Sequence, residues 1–259
     1  MHPWTTSPGS APARGTVVGA IPARYGSTRL PGKPLLPIAG RPMIEHVYGR
    51  VREAAGLDRV VVLTDDERIA RVVLRFGGEV ELTPAECRSG TDRIAWAARS
   101  WDGVAAVVNV QGDEPLIDPA GVGLVARHLV AHPEDPMVTL AVPAEPDEED
   151  AASAVKVVCD LSGHALYFSR ARIPFPRHGN AAAVRPRKHV GIYGYQRAAL
   201  LRLAELPRSP LEEVESLEQL RALENGIRIR VLEGGRPGPG VDTPEDLERV
   251  ERMMSGTSI

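Results

Sequence analysis

Residues 104–110, VAAVVNV, form the most strand-like run in the chain, and they empty directly into Gln111-Gly112-Asp113-Glu114-Pro115. A run that is apolar on both faces must be covered on both sides, and a parallel sheet flanked by helices meets that demand. The same pattern recurs upstream. β-Branched runs at 16–21 and 59–63 alternate with segments whose apolar residues have helical spacing, at 43–55 and 69–76, and Gly56 and Gly77-Gly78 act as stops. A short strand at 79–82 leads to Ser89-Gly90-Thr91, which opens a helix with Ile94, Ala97, Ala98 and Trp101 on one face and Arg93 in its first turn. This alternation predicts an α/β fold: a doubly wound, mostly parallel sheet of Rossmann-like type. In such sheets ligands bind beyond the carboxyl ends of the strands.

The loop after the first strand, residues 21–35 (IPARYGSTRLPGKPL), carries Arg24, Arg29 and Lys33 among two glycines and three prolines. Glycines expose backbone N–H groups, prolines limit the loop's freedom and the cations offset negative charge, so a polyphosphate is the natural guest. It is neither of two familiar phosphate loops. Five residues separate Gly26 from Gly32 and Pro34 follows Lys33, which breaks the Walker pattern, and no G-x-G-x-x-G follows a strand.

The second half has a different texture. A helix is expected at 119–131 and a strand at 137–142, followed by an acidic, solvated loop at 145–150. Residues 155–159 and 165–169 read as an antiparallel hairpin turning at Gly163, part of an inserted lobe at about 154–196. Residues 175–188 have no clear period, and 189–195 (HVGIYGY) read as a strand. A helix follows at 211–225, then a strand at 227–232, a loop at 234–240 and a last helix with Thr243 as cap and Pro244 in its first position. Residues 1–15 are expected to be a disordered tail and 255–259 a short one, leaving one domain over 16–254.

Composition sets outer limits. A net charge of −3 with mixed signs gives no argument for nucleic acid or an anionic membrane surface. No window approaches the roughly 18 apolar residues of a membrane span. Cys87 and Cys159 are too few for a disulfide framework or a zinc site, which fits a reducing cytoplasm. His128 and His132 stand four apart with no third ligand and are expected at the surface. Asp113 and Asp242 each follow a buried run, and two carboxylates beside a cationic loop suit magnesium on a nucleoside triphosphate. Taken singly, turn formation at Asp113 and the helix start at Asp242 explain them equally well.

Eight stretches, 21–35, 89–93, 109–115, 154–158, 165–170, 189–195, 209–221 and 241–250, closely resemble the 3-deoxy-manno-octulosonate cytidylyltransferases, or CMP-Kdo synthetases. The likeness runs in register over about 17–253. It implies a nucleotidyltransferase fold, a homodimer built through the hairpin lobe, and transfer of CMP from CTP to the anomeric hydroxyl of a 3-deoxy-ulosonic acid. By the same resemblance Ala23, Arg24, Arg29, Lys33, Arg93 and Gln111 bind the nucleotide. Asp113 and Asp242 hold Mg2+ and act with Lys33 in catalysis. Arg170, His189, Tyr193, Glu212, Glu215 and Gln219 take the sugar acid. Residues 172–188 depart from the family text, so another 3-deoxy-ulosonic acid stays open as acceptor. A sugar 1-phosphate nucleotidyltransferase would need a second cationic site, whereas 211–219 is acidic. A noncatalytic nucleotide-binding protein is the alternative from another class.

Overall fold

The structure is a computed structural model that describes residues 15–26, 30–177 and 185–256. Arg29, most of the expected N-terminal tail and residues 257–259 lie outside the described residues.

The first half alternates as expected. Strand β1 (Thr16–Ala23) leads through the basic loop and a 3-10 turn (Lys33–Leu35) to a small antiparallel pair, β2 (Pro37–Ile38) and β3 (Arg41–Pro42). Then come α1 (Met43–Arg52), β4 (Arg59–Thr64), α2 (Glu67–Arg75), β5 (Val80–Leu82), α3 (Gly90–Ala98) and β6 (Val104–Asn109). The second half adds α4 (Pro119–Ala131), β7 (Met137–Pro143), β8 (Lys156–Cys159), β9 (Ala165–Ser169) and β10 (Arg187–Gln196). It ends with α5 (Arg197–Glu205), α6 (Pro210–Glu215), α7 (Gln219–Glu224), β11 (Ile229–Glu233) and α8 (Pro244–Met254).

The main sheet runs in the order β11-β7-β10-β6-β1-β4-β5. Neighbours pair in parallel except β10, which is antiparallel to both β6 and β7. Alternate residues of each strand face opposite layers, which is why the central runs are apolar throughout. Val17 and Ile21 of β1 and Val60 and Val62 of β4 pack with α1, α2 and α4. Val18, Ala20, Val61 and Leu63 pack on the other side with α3, α5 and α7. A separate small cluster of Ile38, Met43, Val241 and Val250 fixes α8 against the basic-loop end.

The antiparallel hairpin β8–β9 forms as expected, and β8 also pairs with β10, which runs on to pair with β6 and β7, so the hairpin extends the main sheet. Three expectations are corrected. The single helix expected over 211–225 is broken: Ser216 takes the left-handed conformation (φ 53°, ψ 48°), ends α6 and turns the chain into α7. Hydrophobic spacing continues across that break and hides it. The acidic block is not simply solvated, since Glu148 pairs with Lys188, and Glu149 and Asp150 lie 2.7 and 3.2 Å from Arg172. His128 is half-buried rather than a surface residue, with Nε2 2.8 Å from the Asp135 carboxylate, while its stacked neighbour His132 is exposed.

Candidate active site

The basic loop, the α3 N-terminus and the β6 exit meet at the carboxyl ends of β1, β4 and β6. There they enclose a cleft of about 520 Å³ lined by Ala23, Arg24, Lys33, Arg93, Gln111, Asp113 and Asp242. Sharp backbone geometry builds it. Gly32 lies at φ 69°, accepted readily only by glycine, and its N–H donates to the Tyr25 carbonyl at 3.0 Å, which folds the loop back on itself. A Cβ on Gly112 would stand 2.9 Å from the Pro22 carbonyl oxygen, so the β1 and β6 exits approach closely only because residue 112 has no side chain. Ser89 caps α3 by accepting from the Asp92 N–H at 3.1 Å, leaving that helix's N-terminus in the cleft wall as an anion-favouring feature.

Two backbone devices bring the distant carboxylate in. Val241 N–H donates to the Asp113 carbonyl at 2.9 Å, and Thr243 caps α8 reciprocally with Asp246. Asp113 and Asp242 then converge on Lys33, whose Nζ lies 2.7 Å from Asp113 Oδ2 and 3.0 Å from Asp242 Oδ1. Burial works against the Lys33 ammonium, but Asp113 first and then Asp242 more than offset it and hold its pKa above the ordinary lysine value. The donor set fits a hard divalent cation: two carboxylates already drawn to one positive charge, at a cleft edge open to phosphate oxygens. Lys33 bridges the two carboxylates in this structure.

Arg93 is nearly fully buried, bonded to Thr83 Oγ1 and 3.3 Å from Asp65. Its orientation is therefore fixed before any ligand arrives. Gln111 donates to Asn109 Oδ1 at 3.3 Å. Cys87, Arg88, Ser89 and Gly90 also line the cleft, and of these the spacing before α3 pointed only to Ser89 and Gly90. Glu114, next to Asp113, was not anticipated. Burial first, and the Asp113 charge second, push its carboxyl up to about 7.

The other six candidate residues do not line this cleft: His189 and Tyr193 lie on β10, Arg170 directly after β9, Glu212 and Glu215 on α6 and Gln219 at the start of α7. Tyr193 sits opposite Asn109 in the β10–β6 register, and its ring is 5.1 Å from His189, which is 5.2 Å from Phe168. The Tyr193 hydroxyl is buried with no hydrogen-bond partner among the described residues, which makes it an open polar contact. Burial lowers the His189 pKa to about 3, so its imidazole is neutral near pH 7 and engages Thr139 Oγ1 at 2.9 Å. Glu215 accepts from Ser169 Oγ at 2.6 Å and from the Arg170 N–H at 3.0 Å, and Arg170 Nε donates to the Glu215 carbonyl at 2.9 Å.

Glu212 differs from what an acid facing a ligand or solvent would show. It is buried, grips the Arg221 guanidinium with both oxygens and accepts from the Ser209 N–H at 3.1 Å, so it ties α6 to α7. Gln219 is buried at the start of α7. Glu218 beside it keeps one carboxylate oxygen, Oε1, buried and unpartnered among the described residues. Its signal in the sequence was only the three-residue spacing it shares with Glu212 and Glu215.

A parallel sheet whose central strands empty into a cationic, carboxylate-edged cleft is the architecture of a nucleotidyltransferase, and the comparisons narrow that class. The model of the family described as cytidylyltransferase matches residues 18–229. A 3-deoxy-manno-octulosonate cytidylyltransferase of Syntrophotalea carbinolica is 51% identical over 249 residues, covering 93% of this chain and 99% of that one. One from Escherichia coli is 47% identical over 235 residues, covering 91% and 94%. A solved CMP:2-keto-3-deoxy-manno-octonic acid synthetase complexed with CTP superposes with a TM-score of 0.89 at 46% identity, covering 94% of this chain and all of that one (100%). The chain belongs to the cytidylyltransferase family and, within it, to the 3-deoxy-manno-octulosonate cytidylyltransferases.

Proposed function

We propose that this chain transfers CMP from CTP to the anomeric hydroxyl of 3-deoxy-manno-octulosonate, giving the CMP-sugar and pyrophosphate. The observation that carries the reading is the meeting of Asp113 and Asp242 on Lys33, from 80 and 209 residues away in sequence, inside the cleft. Ala23 and Arg24 hold the cytidine end, Arg29 and Lys33 steady the triphosphate, and Arg93 and Gln111 fix the wall facing it. Asp113 and Asp242 would hold Mg2+, which when bound supplies positive charge at the α-phosphate and lowers the pKa of the attacking hydroxyl. The hydroxyl gives up its proton to solvent and its oxygen bonds to the α-phosphorus as the bond to the β-phosphate oxygen breaks, the electron pair leaving with pyrophosphate. Lys33, released from the carboxylates, turns its charge to the departing phosphates. Positioning and electrostatics do most of the catalytic work in such a transfer.

Arg170 takes the sugar acid's carboxylate, and Tyr193, Glu215 and Gln219 its hydroxyls. Neutral His189 acts as a hydrogen-bonding group rather than a cation. Glu212 serves the same site at one remove, through the Arg221 pair that sets the α6–α7 turn. The working unit is a homodimer in the cytoplasm, a reading supported by exposed Leu161, Leu166 and Phe175 on and after the hairpin and by two free cysteines. Among the described residues no helix is long and apolar enough to cross a membrane.

The test is magnesium-dependent pyrophosphate release from each of the four nucleoside triphosphates, crossed against 3-deoxy-manno-octulosonate, a sialic acid, other 3-deoxy-ulosonic acids and hexose 1-phosphates. Release with CTP and 3-deoxy-manno-octulosonate alone is expected. Release with a hexose 1-phosphate would overturn the acceptor, and release without added divalent cation would overturn the metal assignment. Light scattering at working concentration checks the dimer, and a monomer mass refutes it.

A further inference from the structure

Lys156 is among the largest fully buried side chains in the protein, with no measurable exposure. A buried ammonium is normally matched by a carboxylate. Lys156 instead donates to three backbone carbonyls, Ala151 O at 2.8 Å, Ala154 O at 2.6 Å and Arg170 O at 2.6 Å. All three of its donors are used, and no ion pair to it occurs among the described residues.

The carbonyls it gathers are not arbitrary. Arg170 O belongs to the residue read above as the carboxylate partner. Ala151 O and Ala154 O flank Ala152, whose carbonyl accepts from Arg170 Nη1 at 3.1 Å. Lys156 therefore fixes Arg170 at both ends, holding its main chain directly and holding the turn that catches its guanidinium. β-Sheet register supplies the rest, because Lys156 pairs with Ser169, the residue before Arg170. A side chain without donors here would take this partner from Ala154 O and Arg170 O and leave Ala151 O with the Ala154 N–H, loosening the 151–154 turn and the guanidinium it holds.

We infer that Lys156 is a positioning residue for the sugar-acid half of the site, a buried ammonium that sets the guanidinium of Arg170 for a carboxylate ligand. The Lys156 ammonium reaches Arg170 through that residue's own carbonyl. Burial lowers its pKa, while Asp150 and Glu215 nearby act to raise it and Arg170 to lower it. The inference rests on the proposed role of Arg170, and the experiment separates the two.

Lys156→Met keeps the apolar stem and removes the three donors, and Lys156→Gln restores an amide donor at similar reach. Steady-state constants are measured for each, for Arg170→Ala and for the double variant Lys156→Met/Arg170→Ala. The expected result is a KM for the ulosonic acid raised at least tenfold in Lys156→Met, a KM for CTP within twofold of wild type, and partial recovery in Lys156→Gln. In the Arg170→Ala background the Met substitution should add less than twofold. Equal rises in both KM values, full additivity with Arg170→Ala, or failure of both Lys156 variants to fold would assign Lys156 to the fold alone and overturn the inference. If Arg170→Ala leaves the ulosonic-acid KM unchanged, the proposed role of Arg170 itself fails. That result is distinct from a Lys156 failure, in which Arg170→Ala raises KM and Lys156→Met does not.

Discussion

Two groups of carboxylates and cations lie at opposite ends of the same sheet, and they are built to opposite rules. At the amino end of β7, Asp135 is almost completely buried and its two oxygens meet three partners: His128 at 2.8 Å, His164 at 3.0 Å and Arg230 Nε at 3.0 Å. These come from α4, the β8–β9 turn and β11, so one carboxylate joins three elements. At the carboxyl end, Asp113 and Asp242 share one Lys33 ammonium, and their side chains remain 34% and 55% exposed. The first group is closed off from solvent, and the second lies at the open edge of the cleft. A buried carboxylate held by three side chains serves the fold, whereas two partly exposed ones drawn together on Lys33 at a cleft edge face a ligand.

The largest expected effect falls on the open group. Asp113→Ala and Asp242→Ala should each lower turnover at least a thousandfold, about 4 kcal/mol of barrier, with the thermal midpoint close to wild type. Near-normal rates in either variant would end the contrast. Asp135→Asn should do the reverse: it leaves kcat per folded molecule intact and costs roughly 3–5 kcal/mol of stability, the range for breaking a buried pair. Denaturant unfolding alongside active-site titration measures both quantities, and a loss of kcat without loss of stability would place Asp135 in the wrong group.

Acid sharpens the comparison further. His189 binds a proton near its ordinary 6.5 in the unfolded chain but only at about 3 in the folded one. Below pH 6.5 the unfolded state therefore holds more protons, and stability is complete above that value and falls as pH drops toward 3. The loss by pH 4.5 should be about 3 kcal/mol, at about 1.4 kcal/mol per pKa unit. His189→Gln should flatten that slope, and an unchanged acid limb would contradict the assignment. The smallest effect is expected at Arg172, half-exposed between Glu149 and Asp150, where Arg172→Gln should cost about 0.5 kcal/mol or less in thermal unfolding.

The two groups also differ in how readily they are seen before folding. Lys33, Asp113 and Asp242 stand in loops directly behind strongly patterned strands, where glycine, proline and charge have little reason to occur together except a site. Asp135 lies in an ordinary-looking turn beside Pro136, and its partners His128, His164 and Arg230 carry no shared motif. Glu212 shows the same limit from the other side. Its helical spacing with Glu215 and Gln219 is legible, but the Arg221 fork that occupies it depends on the Ser216 break, which hydrophobic periodicity does not reveal.

The sequence by itself determined the alternation of strands and helices, the doubly wound class, the loop at 21–35 and the carboxylates that meet it, because each is written in local pattern: β-branched runs, caps and turn residues. Tertiary structure alone decided that the hairpin is an extension of the main sheet, that the acidic block pairs with Arg172 and Lys188, that Asp135 gathers two histidines and an arginine and that Lys156 is buried among carbonyls. Those outcomes depend on which distant segments become neighbours, and on whether the neighbours leave a charge any water to turn to. Pairing and burial of that kind appear only once the chain has closed.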